Sequence, residues 1–207
     1  MVAHEYAHGW VALKQGDETA LRAGRLTWNP VPHIDLWMTV LLPAFLLYVS
    51  HGAMAFGGAK PVPVDPRNFR DYRRGDILVS LAGVATNFLI ALLAAIVFVL
   101  IGLLGQGLPS AAGVLGIFQR MAVYGVSLNL LLAAFNLIPI PPLDGSHVVA
   151  QLLPPAWAAP YRRFGRFGLI VLILLIQTPF LTYWFGPAMR VGRALMRAVQ
   201  PYALVAA

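Results

Sequence analysis

Two long apolar runs constrain this chain more than any other feature. From Ile77 to Leu104 the only polar side chains are Ser80, Thr86 and Asn87. A second run extends from about Gly113 to Ile138 and carries Arg120, Asn129 and Asn136. Each is longer than the roughly 20 residues a helix needs to cross a bilayer. The rest of the composition agrees. Of the 207 residues, 59% are hydrophobic and 11% are charged, whereas soluble domains carry about 25% charged residues. Backbone in lipid must satisfy its own hydrogen bonds, and for runs of this length the helix does so. The expected fold is an all-α integral membrane protein, a polytopic helical bundle.

The formal charge of +7 comes mostly from arginines lying between the apolar blocks. Positive cytoplasmic loops account for it better than a soluble basic face, so no nucleic-acid partner is expected. The chain has no cysteine, which excludes disulfides and thiolate metal sites. Residues 1–14 read as a helix ending near Lys14 and Gly16. That helix is too short to span and is expected to be truncated at its start, with an apolar segment upstream. Residues 16–33 read as a loop or a short strand pair. Segment 34–56 is apolar but broken by Pro43 and by His51-Gly52. Because the loops on both sides are basic, it is expected to enter and return as a re-entrant hairpin. The second apolar run ends in Pro139-Ile140-Pro141-Pro142, which a continuous helix does not tolerate. A short helix over 146–153, a basic turn at Arg162, Arg163 and Arg166, and an apolar block at 167–186 broken by Pro179 follow. In the stretch 187–207, Arg190, Arg193 and Arg197 recur at helical spacing, as in an interfacial amphipathic tail. No internal repeat is visible, and a single membrane-embedded domain over 1–207 is expected.

The chemistry begins at His4-Glu5-Tyr6-Ala7-His8. Histidines four apart stand on one face of a helix and are able to share a zinc ion, with Glu5 beside them to handle a water proton. With 5 His in the chain, composition alone would produce this pattern roughly 0.001 times. A hydrolytic zinc needs a third protein ligand. Asp17, Asp35, Asp65, Asp71 and Asp76 sit in or beside hydrophilic loops and read as solvated charge. Asp144 follows an apolar span and a proline-broken turn. An acid at membrane depth is costly unless paired or metal-bound, which makes it the favoured third ligand. Unwound backbone there would line a watery cavity. His33 and His51 read as loop or kink residues, and His147 as structural first and a partner of the metal ligands second.

These motifs together resemble the site-2 protease family of intramembrane zinc metalloproteases. The resemblance rests on His4-Glu5-x-x-His8 with Asn136-Leu137-Ile138-Pro139 and Leu143-Asp144-Gly145 far downstream. It is extended by Asn29-Pro30-Val31-Pro32-His33-Ile34-Asp35, Ala59-Lys60-Pro61-Val62-Pro63-Val64 and Leu81-Ala82-Gly83-Val84-Ala85-Thr86-Asn87. It covers residues 1 to about 175 and looks like the short prokaryotic branch, without a PDZ or regulatory domain. The chain departs from the family pattern at Val84, where a proline is common, and at Ser146, where a second glycine is common.

The resemblance implies cleavage of a transmembrane helix of a membrane-protein substrate, in or near the bilayer of a prokaryotic inner membrane. It implies one zinc ion per chain, held by His4, His8 and Asp144, with Glu5 as general base and acid. It also implies that Asn87 and Asn136 position substrate or an oxyanion; an interhelical amide hydrogen bond is the alternative for each. The competing functional reading is a non-peptidase membrane protein of the same fold, devoted to metal transport or to binding transmembrane helices. Glu5, retained between the histidines, counts against it. A soluble zinc protease is opposed by the two long apolar runs.

Overall fold

The structure, a computed structural model, describes residues 1–52 and 57–204. Among them every regular element is helical: α1 (Val2–Gln15), α2 (Thr19–Arg22), α3 (Leu42–Val49), α4 (Tyr72–Gly107), α5 (Ala112–Asn136), α6 (Asp144–Leu152), α7 (Pro155–Arg163), α8 (Gly168–Ile176) and α9 (Phe180–Val199). Two of them, α4 and α5 with its preceding turn, are long and apolar enough to cross a membrane. The chain forms two compact units, Met1–Gly83 and Val84–Ala207.

In the second unit, α5 and α9 run antiparallel. The Trp184 indole N–H, early in α9, donates to the Ala134 carbonyl, late in α5, at 2.8 Å. Further along, Gly192 faces Leu130. Beyond α9 the chain closes onto the start of α5. Gln119 Nε2 donates to the Phe98 and Tyr202 carbonyls at 3.0 and 2.9 Å, and Leu204 N–H donates to Gln119 Oε1 at 2.9 Å. A buried amide with both ends satisfied fixes the pairing of these elements. Ala91, Ala95, Val126 and Leu130 form the core, with Met189, Leu195 and Met196 packed on it. Small residues where α4 meets α5, such as Ala94 against Gly125, let the backbones approach closely, as in membrane helix pairs. Pro179 separates α8 from α9 as expected, but Pro187 lies inside α9 without ending it. The apolar block and the arginine-bearing stretch therefore do not divide at residue 186. Residues 205–207, the end of the expected tail, lie outside the described residues.

In the first unit, α1 ends at Gly16, whose φ of 110° closes the helix in the left-handed conformation that glycine adopts without strain. The region 16–33 contains no strand pair among the described residues. It holds α2 and a 3₁₀ turn at Val31–His33, because local bonds from side chains replace a sheet ladder. A π-helical turn, Leu36–Leu41, is capped by Asp35, which accepts the Trp37 and Met38 N–H groups at 2.9 and 2.8 Å. It leads into α3, and neither element buries a residue. The ends of this apolar arm meet. Gly58 N–H donates to the Met38 carbonyl and Lys60 N–H to the His33 carbonyl, both at 2.9 Å. Residues 53–56 of the expected hairpin lie outside the described residues.

Asp76, expected to be a solvated charge, is instead buried near the start of α4, and Asp17, expected likewise, is wholly buried. One carboxylate oxygen accepts from the Thr19 N–H and hydroxyl and from Asn68 Nδ2, and the other accepts the Asp65 N–H at 2.8 Å. This clasp ties the end of α1 to segment 65–68. Arg70 N–H adds a bond to the Gln15 carbonyl, and Ala12, Phe69 and Val79 pack beneath it. Burial alone would raise the Asp17 pKa, but the bonds from Thr19, Asn68 and Asp65 together hold it below the ordinary 3.8. A depressed folded-state pKa stabilises the fold above the unfolded value and is lost as pH falls through the folded one. Asp17→Asn, which puts an amide N–H₂ where an acceptor is needed, is expected to cost about 2–3 kcal/mol. Thermal unfolding in detergent, followed from pH 6 to about 3, should show an acid destabilisation in the wild type that is smaller in the variant.

Candidate metal centre

His4 and His8 lie one turn apart on α1, so their rings stand on one face. The two Nε2 atoms are 3.0 Å apart, and the rings meet edge to face with centroids 4.6 Å apart. Two nitrogens about 2.0–2.1 Å from a tetrahedral zinc are about 3.3 Å apart, close to this separation. His8 Nδ1 lies 2.7 Å from the Val79 carbonyl. A carbonyl only accepts, so Nδ1 carries the proton, and Nε2 is the nitrogen placed to serve as a metal ligand. His4 is buried.

The approach of α4 to these rings depends on glycine. A Cβ at Gly83 would stand 2.5 Å from His4 Cε1 and His8 Nε2. Gly9 likewise lies flat against Val62, Ala20 and Leu26, which brings segment 60–64 onto α1. There the Val62 N–H donates to Glu5 Oε2 at 2.9 Å. One oxygen of the Glu5 carboxylate is thereby fixed, and the other accepts no hydrogen bond among the described residues. Val62, Val79 and Gly83 act through backbone or through the absence of a side chain. Residue chemistry did not single them out, although Val62 and Gly83 lie in two of the stretches that carried the resemblance.

In the second unit, Asp144 is the first residue of α6, directly after the proline turn. That turn is held by the Tyr161 hydroxyl, which donates to the Pro139 carbonyl at 2.8 Å. Ser146 donates from Oγ to the Leu143 carbonyl at 2.6 Å. Serine at this position therefore closes the turn that starts the helix. A side chain at Gly145 would collide with the Leu137 carbonyl. Asn136, in the last turn of α5, donates to the Leu132 carbonyl at 3.0 Å, and Asn87 is buried within α4. His33 is buried in the first unit with Nε2 on the Thr27 carbonyl at 3.0 Å, a loop-fixing arrangement. His51 sits in the turn after α3 with φ 51°.

The family model described as Peptidase family M50 matches residues 1–176. The chain is 37% identical to "Putative zinc metalloprotease YwhC" of Bacillus subtilis over 190 residues, 92% of this chain and 82% of that protein. It is 30% identical to "Putative zinc metalloprotease Rip2" of Mycolicibacterium smegmatis over 183 residues, covering 88% of this chain and 65% of that longer protein. It is 28% identical to "Putative zinc metalloprotease MJ0611" of Methanocaldococcus jannaschii over 159 residues, 76% of this chain and 68% of that protein. No solved structure matches the chain.

Gly83→Ala should push the two imidazoles apart. Zinc affinity, read by competition with a chromophoric chelator, is expected to fall about 10–100-fold, the range seen when the support of a metal ligand is lost; unchanged affinity would mean the close approach is irrelevant to the metal.

Proposed function

The chain belongs to peptidase family M50, and from that membership we propose that it is an intramembrane zinc endopeptidase of the site-2 protease type. It would cleave peptide bonds in or near the transmembrane helix of a membrane-protein substrate. The observation that carries this reading is the pair of Nε2 atoms 3.0 Å apart, one on an imidazole whose other nitrogen is committed to the Val79 carbonyl. Such a donor set fits a zinc ion. His4 and His8 would supply two ligands and Asp144 the third, one ion per chain. The placement of Asp144 at a helix start after a proline break supports that role.

Zinc held there would supply Lewis acidity, lowering the pKa of a water to about 7 and polarising the scissile carbonyl. The protein residues do the remainder. Glu5, anchored through Oε2 by the Val62 N–H, receives the proton of the attacking water on its open oxygen and passes it to the leaving amine. His8 keeps its ring orientation through the Val79 carbonyl. Asn136 and Asn87 are proposed to orient the substrate or its developing oxyanion.

The setting is proposed to be a prokaryotic cell membrane, crossed several times. Two bilayer-length helices support this, as does the arm Leu36–Val49, which exposes Leu36, Trp37, Phe45 and Tyr48 by 61–83%. With both ends pinned at its neck, that arm is proposed to dip into the bilayer and return. The arginine-bearing stretch 187–207 is proposed to meet the membrane–water boundary.

Glu5→Gln is expected to abolish cleavage of a model transmembrane substrate in proteoliposomes while bound zinc, measured by elemental analysis, stays at one per chain. Full activity in that variant would refute the assignment. Asp144→Ala is expected to weaken zinc binding by about two orders of magnitude or more, and an unaltered affinity would remove Asp144 from the ligand set.

A further inference from the structure

The second unit is charged very unevenly. Residues 84–207 contain Arg120, Arg162, Arg163, Arg166, Arg190, Arg193 and Arg197, against a single acidic side chain, Asp144. Three of these arginines line one cavity of about 730 Å³ between α5 and α9. Arg193 and Arg197 are four apart and so share a face of α9. Arg120 joins them from the antiparallel α5. Among the described residues, no hydrogen bond or ion pair holds any of the three guanidinium groups. The rest of the wall is largely apolar, with Phe98, Val123 and Met196. Beside the cavity, α5 exposes Ile117, Phe118, Met121 and Tyr124 by 49–67%.

A cavity with three cations over an apolar wall, opening beside an apolar helix flank, is matched by an amphiphile with an anionic head. Guanidinium groups pair with phosphate oxygens through forked, charge-assisted bonds. Basic pockets between membrane helices take phospholipid head groups in this way. We propose that this cavity is a binding site for one anionic phospholipid, its phosphate held by Arg120, Arg193 and Arg197 and its acyl chains lying along Phe98, Val123 and Met196. A bound lipid would brace α9 against α5 and supply the negative charge that this unit lacks.

The site rests on membrane residence, and the experiment separates the two. Full-length protein in a non-ionic detergent is titrated with phosphatidylglycerol or with phosphatidylcholine of the same chain length, and adducts are counted by native mass spectrometry. One phosphatidylglycerol per chain is expected, preferred over phosphatidylcholine. Each arginine removed should cost about fivefold in affinity, so Arg193→Gln with Arg197→Gln should cost about 25-fold. Arg120→Gln, on the other helix, tests the same pocket independently, with circular dichroism confirming unchanged helix content. Equal binding of the two lipids, or full binding by these variants, would overturn the proposal. Displacement of the lipid by millimolar inorganic phosphate would assign the site to free phosphate instead. Displacement by an acidic peptide with the same arginine dependence would assign it to a protein segment. A chain that stays soluble without detergent would refute membrane residence itself, which failure of lipid binding alone would not.

Discussion

The bond from His8 Nδ1–H to the Val79 carbonyl is the constraint on which the first unit turns. It takes a backbone acceptor from inside α4, where the carbonyl would otherwise serve only the helix ladder, and uses it to fix one imidazole of α1. The fixed ring keeps a proton on Nδ1 and turns Nε2 toward His4. For the contact to form, α1 must lie close against the start of α4, and Gly83 supplies the clearance. Ala12, Val79 and Phe69 fill the space beneath. The packing of small residues and the orientation of a histidine are thus one arrangement seen at two scales.

The carboxylates of this unit divide the labour by burial. Asp17 is wholly enclosed and spends both oxygens on donors, which makes it a joint between α1 and segment 65–68. Glu5 is half-buried and spends one oxygen on Val62. The same backbone segment therefore meets this part of the chain twice, once at a structural acid and once at the acid proposed to transfer the proton.

Much of this was legible in the sequence because it depends on spacing and composition. The histidines of α1, the stop at Gly16 and the two long apolar helices follow from periodicity, glycine geometry and length. The proline break before Asp144 could be read because proline has no N–H to give. Other features depend on partners distant in the chain. Asp17 looks like any loop aspartate until Asp65 and Asn68 arrive 48 and 51 residues later. The region 16–33 has enough polar turn residues to suggest strands, yet side-chain bonds curl it into short helices. Pro187 looks like a breaker, but α9 retains its packing on α5 and continues through it.

The neck of the apolar arm has a consequence for how this fold is able to vary. Two backbone bonds, at Met38–Gly58 and His33–Lys60, close the strand of chain that leaves and rejoins the unit. Side chains close the neck as well: the Thr39 hydroxyl donates to the Gly58 carbonyl, Asp35 caps the turn, and a Cβ at Gly57 would collide with Pro43, so the sequence requirement falls on these few positions. The outward side chains of Leu36–Val49, none of them buried, are by contrast able to be exchanged while α1 and its histidines keep their register. The outward face of the arm and the pair of histidines are thereby free to evolve at different rates within one short stretch of chain.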